Sequence, residues 1–258
     1  MAEAIIDDPE ATVFLLQEII ESPDNFKTQA RIVGSLLKAK AYVDGSKPDG
    51  TTGLYMAAKK GHLDLVHVLL QAKASVETTD TNGVTSMFQA AQEGHEDVVR
   101  VIVEAKANVN DALTTDGTTA LLMTSQLGHL NVLRVLLGAK ADINAADNNG
   151  ITSLFMASQN GYVDVVRVLA EGKANINVAR TDGTSSLYMA SQKGYTDVVR
   201  VLLESKARVD KGSMHVTKDE RIIELLKKFK SMGRMIRRQS RIIRTLTMDR
   251  LEDPDYNI

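Results

Sequence analysis

Histidine is the side chain best suited to general acid–base work or metal ligation near neutral pH, and the chain carries five: His62, His67, His95, His129 and His215. A zinc-type site needs ligands at a spacing that brings them together, such as His-x-x-x-His on one helix face. His67 and His215 have no such partner. His62, His95 and His129 stand 33 and 34 residues apart within the same local text, Gly-His-Leu, Gly-His-Glu and Gly-His-Leu. A catalytic group is needed once, so recurrence in register points to a structural role in each segment. Cysteine is absent, which removes thiolate nucleophiles, iron–sulfur clusters, zinc ribbons and disulfides. The sequence has no Gly-x-x-x-x-Gly-Lys phosphate cradle, no Gly-x-Ser-x-Gly elbow and no dinucleotide fingerprint. The expectation is a chain with no catalytic, cofactor-binding or metal-binding residues: not an enzyme.

The elements that carry these histidines are repeated. Gly50, Gly83, Gly117, Gly150 and Gly183 are separated by 33, 34, 33 and 33 residues, and each opens a version of one text, from GTTGLYMAAKKGHLDLVHVLLQAKASV to GTSSLYMASQKGYTDVVRVLLESKARV. A period of this length decides the architecture before any local assignment. Leu54, Ala57 and Ala58, and in the fourth unit Leu154, Ala157 and Ser158, follow the i, i+3, i+4 pattern of one helix face. After a second glycine (Gly61, Gly94, Gly128, Gly161, Gly194) comes another helical run, such as Val165, Val166, Val168 and Leu169. Those mid-unit glycines predict a turn with positive φ. Stretches such as Asn144-Ala-Ala-Asp-Asn-Asn-Gly150 supply tight turns between units. Asp97/Arg100, Asp164/Arg167 and Asp197/Arg200 are expected to pair at i, i+3 on a solvated outer face.

The 33-residue spacing, the G-x-T-x-L start, the A-[AS]-x-x-G-[HY] middle and the VV-x-VLL end resemble the ankyrin repeat. The resemblance implies an all-α solenoid of stacked helix-turn-helix units. It covers five units over residues 49–214, preceded by a divergent N-terminal cap in residues 1–48, whose end, Leu36-Leu37-Lys38-Ala39-Lys40-Ala41-Tyr42-Val43, repeats the close of a unit and predicts a pair of helices from about residue 9. The chain departs from the family in three ways. The usual Pro-Leu-His triplet becomes Gly53-Leu54-Tyr55, Ser86-Met87-Phe88, Ala120-Leu121-Leu122, Ser153-Leu154-Phe155 and Ser186-Leu187-Tyr188, so aromatic packing between units is expected to replace a histidine staple. Lys73, Lys106, Lys140, Lys173 and Lys206, with Lys40 in register, stand where the family favours glycine after the second helix. One extra residue falls within Asn110–Asp116.

Ankyrin proteins mostly bind other proteins on the concave surface. The resemblance therefore implies a scaffold or adaptor whose partner-facing positions are the turn residues Thr51, Val84 and Ile151, with Thr118 and Thr184, and the pairs Lys59-Lys60, Gln92-Glu93, Gln126-Leu127, Gln159-Asn160 and Gln192-Lys193. Val84, Leu127 and Ile151 are apolar where a solvated face would be polar, and are expected to form an exposed anchor patch.

Charge separates body from tail. Residues 1–217 hold 20 Lys and Arg against 26 Asp and Glu, residues 218–250 hold 11 against 4, and residues 251–258 hold three acids, giving −6, +7 and −3. Within residues 215–258, Thr217-Lys-Asp-Glu220 reads as a capping box before Ile222, Leu225, Leu226 and Phe229, predicting a capping helix over 218–230, interrupted at Gly233. Beyond it, Arg234-Met-Ile-Arg-Arg-Gln-Ser-Arg-Ile-Ile-Arg244 mixes basic and apolar residues, a pattern suited to an anionic membrane or a calmodulin-like groove through residues 218–250. Ser240 follows two arginines as in targets of basic-directed kinases. The acidic body and a basic stripe without aromatics beyond Phe229 argue against nucleic acid. No apolar run has the length of a membrane span, and Met1–Glu10 is acidic where a secretory signal would be basic and then apolar. A monomer in the cytoplasm is expected.

Overall fold

The computed structural model describes residues 18–20, 26–38 and 41–251. Helix α1 (Phe26–Lys38) is followed by five helix pairs: α2 (Gly53–Lys59) with α3 (Leu63–Gln71), α4 (Ser86–Gln92) with α5 (Glu96–Glu104), α6 (Ala120–Leu127) with α7 (Leu130–Gly138), α8 (Ser153–Asn160) with α9 (Val163–Glu171), and α10 (Ser186–Lys193) with α11 (Thr196–Glu204). A single-turn helix α12 (Lys211–His215) and the long α13 (Glu220–Leu251) close the chain. The helix-turn-helix unit predicted from the repeat is present five times in succession. Of the N-terminal cap, α1 lies within the described residues and the segment before residue 18 lies outside them, as does Lys40.

Each first helix begins because a hydroxyl satisfies a backbone N–H that the helix itself cannot. Thr52, Thr85, Thr119, Thr152 and Ser185 accept from the N–H of Tyr55, Phe88, Leu122, Phe155 and Tyr188. Their inner faces are small residues, Ala57 and Ala58, Ala90 and Ala91, Thr124 and Ser125, Ala157 and Ser158, Ala190 and Ser191, all buried. Small side chains let the first helices approach more closely than the bulkier second helices, and they do. The stack therefore curves, with first helices and turns on the concave side. The main core lies between the two helix layers, where Leu65, Leu69, Val99, Ile102, Leu133, Leu136, Val166, Leu169 and Leu202 are essentially inaccessible.

Two hydrogen-bond ladders fix the register of unit on unit. At the turn tips, the N–H of Thr81, Thr114, Asn148 and Thr181 donates to the carbonyl of Asp49, Asn82, Asp116 and Asn149 in the preceding tip, at 2.8–3.2 Å. Deeper, the side-chain oxygens of Asp44, Glu77, Asn110, Asn144 and Asn177 accept from the N–H of Ser75, Asn108, Asp142, Asn175 and Arg208 one unit on. The extra residue sits in the third tip. There the N–H of Leu113 donates to the carbonyl of Thr118, five residues on, where the second tip closes from Asp80 to Val84 over four.

The deeper ladder also shows how the stack ends. Asp210 stands in register with Asn177, but its carboxylate turns onto its own segment and accepts from the N–H and hydroxyl of Ser213 at 2.6 and 2.7 Å, capping α12. Helix α12 packs on α10 and α13 on α11, an abbreviated sixth pair. Ile222 and Leu226 are buried there, with Leu225 and Phe229 partly so. Three expectations for this region change. Helix α12 was not foreseen. The capping box does not form: Asp219, not Thr217, accepts from the N–H of Arg221, while the Thr217 hydroxyl accepts from the N–H of Asp219. Gly233 does not interrupt α13, because one glycine costs only about 1 kcal/mol in a helix and the flanking residues are good helix formers. The outer i, i+3 pairs also give way. Arg100 pairs with Glu96 at i, i+4, and among the described residues neither Asp164 with Arg167 nor Asp197 with Arg200 reaches ion-pair distance.

Candidate protein-binding face

The concave side has two walls and a floor. One wall is the row of turn tips; the other is the row of first-helix ends; the floor is the exposed side of the first helices. Of the expected partner-facing residues on the helix ends, Lys59, Lys60, Glu93, Leu127, Gln192 and Lys193 are exposed, while Gln92, Gln126, Gln159 and Asn160 are half-buried. Several already have internal duties. Lys60 Nζ donates to the carbonyl of Ile20, Glu93 accepts from Gln89 Nε2, and Asn160 Nδ2 donates to the carbonyl of Gln126 at 2.7 Å.

On the turn wall, the Thr51 hydroxyl and N–H both donate to Asp49 Oδ1, and Val84 is half-buried. These bonds, the N–H first, hold the Asp49 carboxyl below the usual aspartate range. The Thr184 hydroxyl and N–H do the same for Asp182. Ile151 contradicts its expected exposure. It is 9% exposed and closes a small apolar cluster with Leu122 and Phe155, whereas Leu127 is 39% exposed. Ile151 packs against Phe155, the aromatic residue of its own unit's altered triplet, and against Leu122 of the unit before. Of the three residues expected in an anchor patch, Leu127 is exposed and Val84 half-buried.

Sequence reasoning passed over the residues that form the floor. The position after the altered triplet holds Met56, Gln89, Met123, Met156 and Met189. Met156 and Met189 lie partly exposed over the Leu122–Ile151–Phe155 cluster, and Met123 is likewise half-buried. Four methionines in five repeats at one register were a visible signal. In the first unit Met56 is buried, and in the second the position is polar: the Tyr55 hydroxyl donates to Gln89 Oε1 at 3.0 Å, and Gln89 passes a hydrogen bond to Glu93.

The recurrent histidines are structural, as their register implied. His95 and His129 donate from Nε2 to the carbonyls of Lys59 and Gln92, at 3.0 and 2.9 Å. Each ring lies over the mid-unit glycine of the unit before; a Cβ on Gly61 would come within 2.7 Å of His95, and one on Gly128 within 2.8 Å of Tyr162. Where Tyr162 takes the place of histidine the equivalent carbonyl, that of Gln126, is taken by Asn160 instead. The inter-unit staple therefore survives at a different position from the family's usual one.

His62, the first of the series, is buried, and desolvation, with Lys60 and His95 adding repulsion, pushes its imidazolium pKa down. The unfolded chain then binds more protons than the folded one between the lowered value and about 6.5. Stability should be complete above that pH and fall as pH drops through the window. Urea midpoints are expected to decline between pH 7 and pH 5, and His62→Gln should flatten the slope; an unchanged slope would move the effect elsewhere.

Among the described residues no group of His, Asp and Glu is placed to hold a metal ion, and no helix is long and apolar enough to cross a membrane. No curated protein matches the chain. A family model described as ankyrin repeats (three copies) matches residues 25–112, 105–180 and 121–213, more than half of the chain. Ankyrin repeats are in general protein–protein interaction modules. With five stacked helix pairs, left-handed glycines in every unit and this match across its body, the chain belongs to the ankyrin repeat family.

Proposed function

We propose that this protein is an interaction scaffold or adaptor that holds a partner protein on its concave face and performs no chemistry of its own. The observation that carries the reading is Leu127, exposed at the rim of a floor that Met123, Met156 and Met189 make apolar. Isolated surface leucines are commonplace, but one continuous with a methionine strip forms an anchor with adaptable neighbours. The test compares wild type with Leu127→Asp in affinity purification followed by mass spectrometry. A partner set captured by wild type and lost in the variant, at unchanged melting temperature, is the expected result. An identical set from both proteins would overturn it.

A second reading concerns α13, whose backbone continues as helix from Gly233 to Leu251 with Met232 and Met235 exposed at 41% and 57%. The helix has a body-packed first part and a basic, apolar-bearing extension suited to an anionic membrane or a calmodulin-like groove. The Ser240 side chain lies outside the described residues; its modification would add about −1.5 to −2 charges to a +7 segment. With about 1 kcal/mol per basic residue at such a surface, co-sedimentation with phosphatidylserine-containing vesicles should be strong at low salt, weak at high salt and weaker in Ser240→Glu. Binding insensitive to both changes, or none at all, would leave α13 only its sealing role.

A further inference from the structure

Every turn tip of the concave face carries an aspartate, but the cations beside them are confined to the first and fifth units. In the first unit its walls carry Lys47, Lys59 and Lys60 beside Asp49, and in the fifth Lys193 and Arg180, the latter paired with Asp182 at 3.6 Å. Between them, over the second to fourth units, the turn tips contribute Asp80, Asp116 and Asp147, the helix ends contribute Glu93, and neither wall has a lysine or arginine. The three aspartates spend Oδ1 on their own turns: Asp80 accepts from Asn82 and Val84, Asp116 from Thr118, and Asp147 from Asn149 and Ile151. Among the described residues none of the three is in an ion pair. Asp116 is exposed, and Asp80 and Asp147 half so. An acidic wall beside a half-exposed methionine floor excludes an acidic partner and favours one that brings cations and apolar side chains together.

Resting on the concave-face reading, we propose that the occupant is a basic amphipathic segment of the partner. Its apolar residues lie on Met123, Leu127, Met156 and Met189, and its lysines or arginines lie against Asp80, Asp116 and Asp147. Packed helices are roughly 8–10 Å apart, so three units of floor span roughly 16–20 Å, the length of about three helical turns. Residues seven apart on a helix advance about 10.5 Å, close to one unit, so an apolar residue at every seventh position meets successive methionines. The lysines of the first unit, and Lys193 at the other end, suit acidic residues flanking such a segment.

The probes are three labelled two-heptad helical peptides with the same leucine pattern, whose remaining positions are lysine, glutamine or glutamate, titrated into the full chain by fluorescence anisotropy. The lysine peptide should bind at least about tenfold more tightly than the glutamine peptide, and the glutamate peptide least. Asp116→Asn with Asp147→Asn keeps the Oδ1 acceptors of the turns and should weaken the lysine peptide about tenfold. Glu104→Gln with Glu171→Gln, on the second helices of the opposite side, removes as much charge and should leave it unchanged. Equal affinities for the three peptides, or equal losses in the two double variants, would overturn the proposal. If Leu127→Asp loses its natural partners while the lysine peptide fails to bind, the scaffold reading stands and the basic occupant falls. If Leu127→Asp changes neither, both fall.

Discussion

Ile151→Asp should destabilise the fold by about 3–5 kcal/mol, and Leu127→Asp should leave stability nearly untouched while abolishing partner capture. The first change takes a side chain from a closed apolar cluster with Leu122 and Phe155 and puts a carboxylate in its place, one of the changes behind the largest single-site losses. The second alters an exposed rim position, where substitutions ordinarily stay within about 0.5 kcal/mol. Because a solenoid's stability is close to a sum over units and their interfaces, the Ile151 loss should concentrate in the third to fifth units. Amide exchange should accelerate there first. If the two variants unfold at the same denaturant concentration, the buried placement of Ile151 is wrong.

That contrast marks how far the sequence could be read. Periodicity, the two glycines per unit and the Ala/Ser helix face made the five helix pairs and their order legible, since each follows from local pattern and short-range geometry. The structural bonds of His95 and His129 were legible too, because recurrence in register points to a duty repeated in each unit. Ile151 was not, since its burial depends on a side chain one unit away: Leu122 of the third unit closes over it together with Phe155. The end of the stack was hidden for the same reason. Asp210 looks like one more ladder residue, and only the absence of a following N–H in register turns its carboxylate back onto Ser213. The outer charge pairs failed on rotamer geometry, where Arg100 reaches back one full turn to Glu96 rather than to Asp97.

The methionine strip was a different kind of omission. Each methionine, seen alone, is an ordinary helix residue, and the interest lies in what the same position is in the second unit. Gln89 there engages Tyr55 and Glu93, and Met56 of the first unit is buried, so the half-exposed methionines are confined to the last three units. A partner bound along it must change chemistry part-way, which gives the pairing a direction that a uniform strip would lack.

Replacing Lys73, Lys106, Lys140, Lys173 and Lys206 together by glycine should yield a protein more stable than the matching five-alanine variant, by less than the roughly 5 kcal/mol that backbone strain alone would supply. All five lysines sit at φ between 67° and 72°, the left-handed region where a Cβ crowds the following carbonyl and costs about 1 kcal/mol or more per residue. Both replacements remove the cation from the helix C-terminus, a loss of about 0.3–1 kcal/mol each, so the charge effect cancels in the comparison and the Cβ remains. Glycine's greater freedom in the unfolded chain works against the gain by roughly 0.4–1 kcal/mol per site. The measured difference should therefore fall below the simple sum but keep its sign. Against wild type, the glycine series should be neutral to stabilising and the alanine series mildly destabilising. The sites lie one unit apart and share no side-chain partner, so single-site differences should add. Denaturant midpoints for the five single glycine and five single alanine variants would check this, and an alanine series as stable as the glycine series would mean that the left-handed turns carry no strain.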